Sequence, residues 1–154
     1  MQTKQSHLAT ADSIAKTKNL NKLSANANAV TWFEIPVTDM KRAKQFYETV
    51  LDVQLVSQKG IGAEGELELF PRGGDGPMGR SDMVSGALVK KEGLRPSADG
   101  IVIYLNANPS IDKATDRVKT AGGKLTLQKT KNPAGYVAVM IDSEGNKIGL
   151  FSGE

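Results

Sequence analysis

Residues 29–51 read AVTWFEIPVTDMKRAKQFYETVL, and the two periodicities in this stretch decide the fold. From Trp32 to Val37 the pattern alternates, with Phe33, Ile35 and Val37 on one side and Trp32 and Glu34 on the other. Successive side chains of a strand project to opposite faces, so a two-faced strand is expected. Thr38 or Asp39 can cap a helix by accepting from a backbone N–H that the first helical turn leaves without a partner. Met40, Ala43, Phe46, Tyr47, Val50 and Leu51 then recur at steps of three and four, the spacing of a helix with one buried stripe.

Strand-like stretches come next at Val53–Ser57, Glu66–Phe70 (ELELF) and Val84–Lys90 (VSGALVK). The pattern then restarts. Ile101, Ile103 and Leu105 alternate with Gly100, Val102 and Tyr104. Asn108 before Pro109 reads as a helix start, with a cap residue and proline at the first helical position. Ile111, Ala114, Val118 and Ala121 form the second stripe, and Gly122 and Gly123 end it, because glycine takes the left-handed conformation readily. Leu125–Leu127, Tyr136–Ile141 and Lys147–Phe151 supply three more strands, the last two joined by the turn-forming run Asp142–Asn146. The run Lys129–Pro133 reads as an exposed turn.

The order is strand, helix, three strands, twice over. Such repetition implies two similar halves side by side, each sheet lending a wall to one cleft. Helices are expected to cover the Phe33/Ile35/Val37 and Ile101/Ile103/Leu105 rows, leaving the opposite rows to line the cleft. The expected fold class is α+β, with paired βαβββ modules at about 29–91 and 99–152 in one domain spanning 29–154.

The chain has 154 residues, about one domain and enough to bury a core. Its 20 basic and 17 acidic residues are unevenly placed: residues 1–28 hold four lysines and one aspartate, which leaves 16 of each sign from residue 29 onward. The surplus thus belongs to a polar arm, read as mobile. A nucleic-acid-binding domain carries its basic patch on the folded surface, so no nucleic-acid partner is expected. The absence of cysteine excludes disulfides, thiol catalysis and thiolate metal sites. The single histidine, His7, lies in the arm and reads as a solvated residue. No apolar run approaches a bilayer span of roughly 20 residues, and no apolar secretory stretch is present, so the chain is expected off the membrane, in the cytoplasm. Gly74, Gly76 and Gly79 match G-x-G-x-x-G, but Pro77 sits inside the motif and a strand comes after it. A pyrophosphate cradle needs a helix there.

With Ile35-Pro36-Val37-Thr38-Asp39-Met40, Arg42-Ala43, Phe46-Tyr47 and Val50-Leu51, joined by Ala121-Gly122-Gly123 and Asp142-x-Glu144-Gly145-Asn146-Lys147-Ile148-Gly149-Leu150, the chain resembles the vicinal oxygen chelate superfamily. This group includes glyoxalase I, extradiol dioxygenases and bleomycin- and fosfomycin-resistance proteins. The wording WFEIPV, PSADGIVIYLN and DSEGNKIGLFS is similar to a bacterial subgroup related to lactoylglutathione lyase. The resemblance implies the paired βαβββ fold, a homodimer and often a divalent metal held by the first and last strand of each half. At the corresponding positions this chain has Trp32, Gly100 or Ile101, Gly149, and the stretch Gly86–Leu88. None offers the imidazole or carboxylate that a divalent ion needs, so no metal and no other cofactor are expected.

Glu34 shares a face with Trp32, and a carboxylate desolvated against an indole can act as general acid or base near neutral pH. The alternative is a buried glutamate held in the sheet's own hydrogen bonds, or a residue at a subunit edge. Trp32 is either a stacking wall or ordinary core. Tyr104 is open in the same way, with a hydroxyl that can orient a ligand, while Lys147 and Phe151 flank Gly149 on the cleft-facing row. Glu66 and Glu68 alternate with Leu67 and Leu69, most simply as a solvated face. The expected ligand site is Trp32, Glu34, Tyr104, Lys147 and Phe151. Three functions stand in order: a small-molecule-binding protein, a metal-independent lyase or isomerase with Glu34 as the catalytic base, and an interaction module recruited through the arm.

Overall fold

The computed structural model describes residues 30–58, 65–71 and 84–153; the arm with His7 and the G-x-G-x-x-G run lie outside them. β1 (Trp32–Pro36) leads into α1 (Met40–Leu51), then β2 (Val56–Gln58), β3 (Glu66–Leu69) and β4 (Ser85–Lys90). The second module repeats this with β5 (Ile103–Asn106), α2 (Ile111–Thr120), β6 (Lys124–Asn132), β7 (Gly135–Ile141) and β8 (Lys147–Ser152). Each module forms its own four-stranded sheet, in the orders β1-β4-β3-β2 and β5-β8-β7-β6. The first strand of each pairs parallel with the last, and the remaining pairings are antiparallel. The architecture is α+β, two mixed sheets and two helices, as the repeat implies.

The α1 stripe lies where the spacing puts it: Met40, Ala43, Phe46, Tyr47 and Val50 are buried, and Leu51 is half-buried. Asp39 is the cap, its Oδ1 accepting from Arg42 N at 3.0 Å. Ile35 and Val37 are buried beneath α1, in one continuous core with Leu105, Ile148 and Leu150 of the second sheet. Tyr47 stands edge-on to both Phe46 and Phe70, and Phe70 meets Phe33 at 5.5 Å. Such edge and tilted contacts suit the charge distribution of aromatic rings.

Four sequence readings need correction. Ile101 is not covered by a helix: it precedes β5 and is almost fully exposed. Glu68 does not face water: it is buried on the side that meets α1, where Lys44 Nζ lies 2.8 Å from its carboxylate and Ser57 Oγ donates to it. The alternation puts Glu66 and Glu68 on the face opposite Leu67 and Leu69; Glu66 stays exposed beside Lys90, while Glu68 is buried because a paired carboxylate can occupy a site that an isolated one cannot. Lys129–Asn132 is not a turn but the end of β6, which is carried to Asn132 by pairing with Gly135. Asn108 does not cap α2. Ser110 stands at the cap with extended backbone, while Asn108 Oδ1 accepts from Gly153 N and Ser152 Oγ.

The two helix-ending glycines serve different needs. Gly122 has φ +97°, the left-handed region. Gly123 lies against the Phe46 ring and the Ile141 carbonyl, where a Cβ would collide with both. It lets the first module's helix approach the second module closely.

Candidate functional site

β1 and β5 are edge strands of their sheets; the modules pack through α1 against α2, and residues of β1 and β5 together line recesses along the seam between them. At one end the seam is closed by the Asp142–Asn146 turn. Asp142 is 4 % exposed; its Oδ1 accepts from Glu144 N and Asn146 N, and its Oδ2 accepts from Tyr47 Oη at 2.6 Å and Asn146 Nδ2. Asn146 Nδ2 also donates to Pro36 O at the end of β1, and its Oδ1 accepts from Ser97 N. The phenol of Tyr47 is pushed well above its ordinary pKa by burial and by the adjacent Asp142 carboxylate.

Glu144 completes this closure. Its carboxylate accepts from Thr38 N, Thr38 Oγ1 and Asp39 N, and its two oxygens pair with Arg42 through Nε at 2.7 Å and Nη2 at 3.1 Å. Burial alone would raise its pKa, but the Arg42, Asp39 and Thr38 hydrogen bonds prevail and hold it at about 2. A carboxylate of the second module thus satisfies the N–H groups just ahead of the first module's helix, where the helix dipole also favours negative charge.

Among the described residues, the other end is open. A cavity of about 380 Å³ lies between the start of β1 and the end of β5. Phe33, Leu51, Val53, Phe70 and Leu105 give it apolar walls, and Ser85, Tyr104, Asn106 and Asn108 supply polar groups. Its size and its mixture of apolar walls with a few polar groups suit a small organic molecule. Tyr104 is 50 % exposed, and its ring lies over Gly149 on the neighbouring strand, so closely that a Cβ on Gly149 would collide with it.

The sequence-derived site is only partly brought together. Tyr104 lines the open cavity. Glu34 and Lys147 line a separate recess of about 150 Å³ further along the seam, with Arg95 and Asp99 nearby. Trp32 is half-buried, and its Nε1 lies 3.4 Å from Glu34 Oε1. Glu34 itself is exposed, so the desolvation on which its acid–base reading rests is missing in the single chain. Phe151 is half-buried and pairs with Asn106 across β5 and β8.

Phe33, Phe70, Ser85, Asn106 and Asn108 line the cavity without belonging to the sequence-derived set. Their signal is faint: Phe33 and Phe70 read as core, and Asn106 as an ordinary polar residue at a strand end. The tight Tyr104–Gly149 pairing is legible only in part, through a glycine at a cleft-facing position.

The positions that the resemblance matches to the superfamily's metal ligands carry the following groups. Trp32 carries an indole, Gly149 is covered by the Tyr104 ring, and Gly86 is covered by Phe33. Ile101 is 92 % exposed. Among the described residues no three His, Cys, Asp or Glu side chains come together as a metal would need. Among them, too, no helix is long and apolar enough to cross a membrane.

Two mixed sheets from repeated βαβββ units define the class, and the family model for the Glyoxalase/Bleomycin resistance protein/Dioxygenase superfamily matches residues 29–150. The chain belongs to this superfamily. No curated protein sequence matches it. Among solved structures, a glyoxalase/bleomycin resistance protein from Albidiferax ferrireducens T118 superposes with TM-score 0.58 at 16 % identity, covering 78 % of this chain and 94 % of that one. An antibiotic binding protein from Streptomyces sp. CB03234 gives TM-score 0.52 at 25 % identity, over 81 % of this chain and 95 % of its own. A glyoxalase I variant from Zea mays gives TM-score 0.53 at 18 % identity over 79 % of this chain, which spans 45 % of the maize protein.

Proposed function

We propose that this protein binds a small organic molecule at the open end of the seam and does so without the superfamily's usual metal. The observation that carries the reading is the cavity of about 380 Å³, walled by Phe33 and Phe70 and edged by Tyr104 and Asn106. The likeness to an antibiotic binding protein supports the same class of function. The ligand positions filled by indole, glycine and exposed isoleucine support the metal-free part of the proposal. Binding stands ahead of Glu34-based catalysis because Glu34 is exposed and lines a different recess. Trp32, Lys147 and Phe151 belong to the proposal as neighbouring cleft residues, and a homodimer as its assembly.

Native mass spectrometry of protein purified without chelator or added metal tests this. A metal-free species that retains an organic adduct, released when Tyr104 and Phe33 are truncated, is the expected result. One tightly held divalent ion per chain would overturn the metal-free reading.

A further inference from the structure

The cavity's polar edge has a defined direction. Asn106 Oδ1 lies 2.9 Å from Asn108 N, and a backbone N–H can only donate, so the amide atom facing it must be the oxygen. The same oxygen accepts from Asn108 Nδ2 at 2.7 Å. The Asn108 amide is fixed by the same logic, since its Oδ1 faces Gly153 N at 2.9 Å. A relay therefore runs from the Gly153 N–H through the Asn108 amide to the Asn106 oxygen, each bond polarising the next. It leaves the Asn106 NH2 group without a partner among the described residues, on a side chain that lines the cavity. The Tyr104 hydroxyl, one residue pair away on the same face of β5, is a second group able to donate.

Apart from Ser85, whose hydroxyl donates to Phe70 O, the remaining walls are apolar, and among the described residues the cavity has no charged side chain. From this we infer that the cavity selects a largely apolar molecule that presents a carbonyl oxygen to Asn106. The assignment rests on the proposed binding function and names its ligand class: a ketone, ester or amide carried on an apolar ring system. Phe33 and Phe70, whose centroids lie 5.5 Å apart, would receive the rings, and the fixed Asn106 amide would receive the oxygen.

The test uses 9-fluorenone and its hydrocarbon counterpart fluorene, titrated into the full chain while the Asn106 side-chain amide and the Phe33 and Ser85 backbone signals are monitored by 15N–1H NMR. The ketone is expected to bind about tenfold tighter than fluorene, one hydrogen bond's worth, and to shift the Asn106 amide. Asn106→Asp keeps an acceptor toward Asn108 and replaces the open donor with an oxygen, so it should abolish the ketone's advantage and leave fluorene binding in place. Equal binding of the two probes at shifted Phe33 and Ser85 signals would overturn the carbonyl inference and leave the pocket standing. A ketone preference that survives Asn106→Asp would also overturn it. If neither probe moves those signals, the binding proposal itself fails, and this inference with it.

Discussion

The two ends of the seam are built from the same kinds of residue and used in opposite ways. At the closed end, the carboxylates of Asp142 and Glu144 and the amide of Asn146 spend their capacity on the protein: Tyr47, Thr38, Arg42, the Pro36 carbonyl and their own turn. At the open end, Asn106 and Asn108 also form an ordered network, but it terminates in an exposed donor beside apolar walls. Satisfied buried polar groups fix a structure, whereas an exposed donor at the rim of a cavity stays available to a ligand. The turn that closes the first end joins β7 to β8, and its counterpart in the first module is the connection spanning 72–83.

Breaking the closed end should have the largest effect. Asp142→Ala strands the Tyr47 hydroxyl and three N–H donors in a buried site, and urea unfolding should show a loss of about 3–5 kcal/mol. Glu144→Ala leaves the Thr38 and Asp39 N–H groups ahead of α1 and the half-exposed Arg42 to be satisfied by water, for a loss of about 2–3 kcal/mol.

The pH dependence sharpens the same point. Glu144 sits at about 2 when folded and near its ordinary 4.5 when unfolded. Its contribution is thus complete above about 4.5 and disappears as the pH falls toward 2, because the unfolded chain then binds the proton more readily. Denaturation midpoints measured between pH 6 and pH 2.5 should drop more steeply for the wild type than for Glu144→Gln. Parallel curves would show that the carboxylate's charge is not what holds the modules together.

Gly149→Ala tests the open end through packing. The added Cβ must displace the Tyr104 ring, which is half exposed and free to swing. A stability loss of about 1 kcal/mol is expected, with a clear change in the Tyr104 ring signals by NMR. The smallest contrast is between the helix starts. Asp39→Ala should cost about 1 kcal/mol because its cap bond is made, whereas Ser110→Ala, where no side-chain bond forms, should change stability by a few tenths.

The fold is legible in the sequence because the periodicities in Trp32–Leu51 and in the second module are set by burial, which acts on each residue locally. The family likeness is legible for a related reason: the Asp142–Asn146 turn and the Tyr47 position serve the closure between modules. Errors arise where a long-range partner overrides a local preference. Lys44 and Ser57 draw Glu68 out of solvent, the end of β8 takes Asn108 away from the helix cap, and Gly135 holds Asn132 in β6. The site is harder still. Trp32 and Glu34 do share a face, as alternation requires, but alternation says nothing about which stretch of the seam stays open. That depends on how the start of β1 meets the end of β5, and no spacing within either strand encodes it.

The most direct measurement of the central claim is chemical-shift mapping of the full chain against a library of neutral aromatic fragments. Perturbations should gather at Phe33, Ser85, Tyr104 and Asn106 and spare Thr38 and Asp142–Asn146. Binding that instead centres on Trp32, Glu34 and Lys147, or that requires an added divalent ion, would contradict the account.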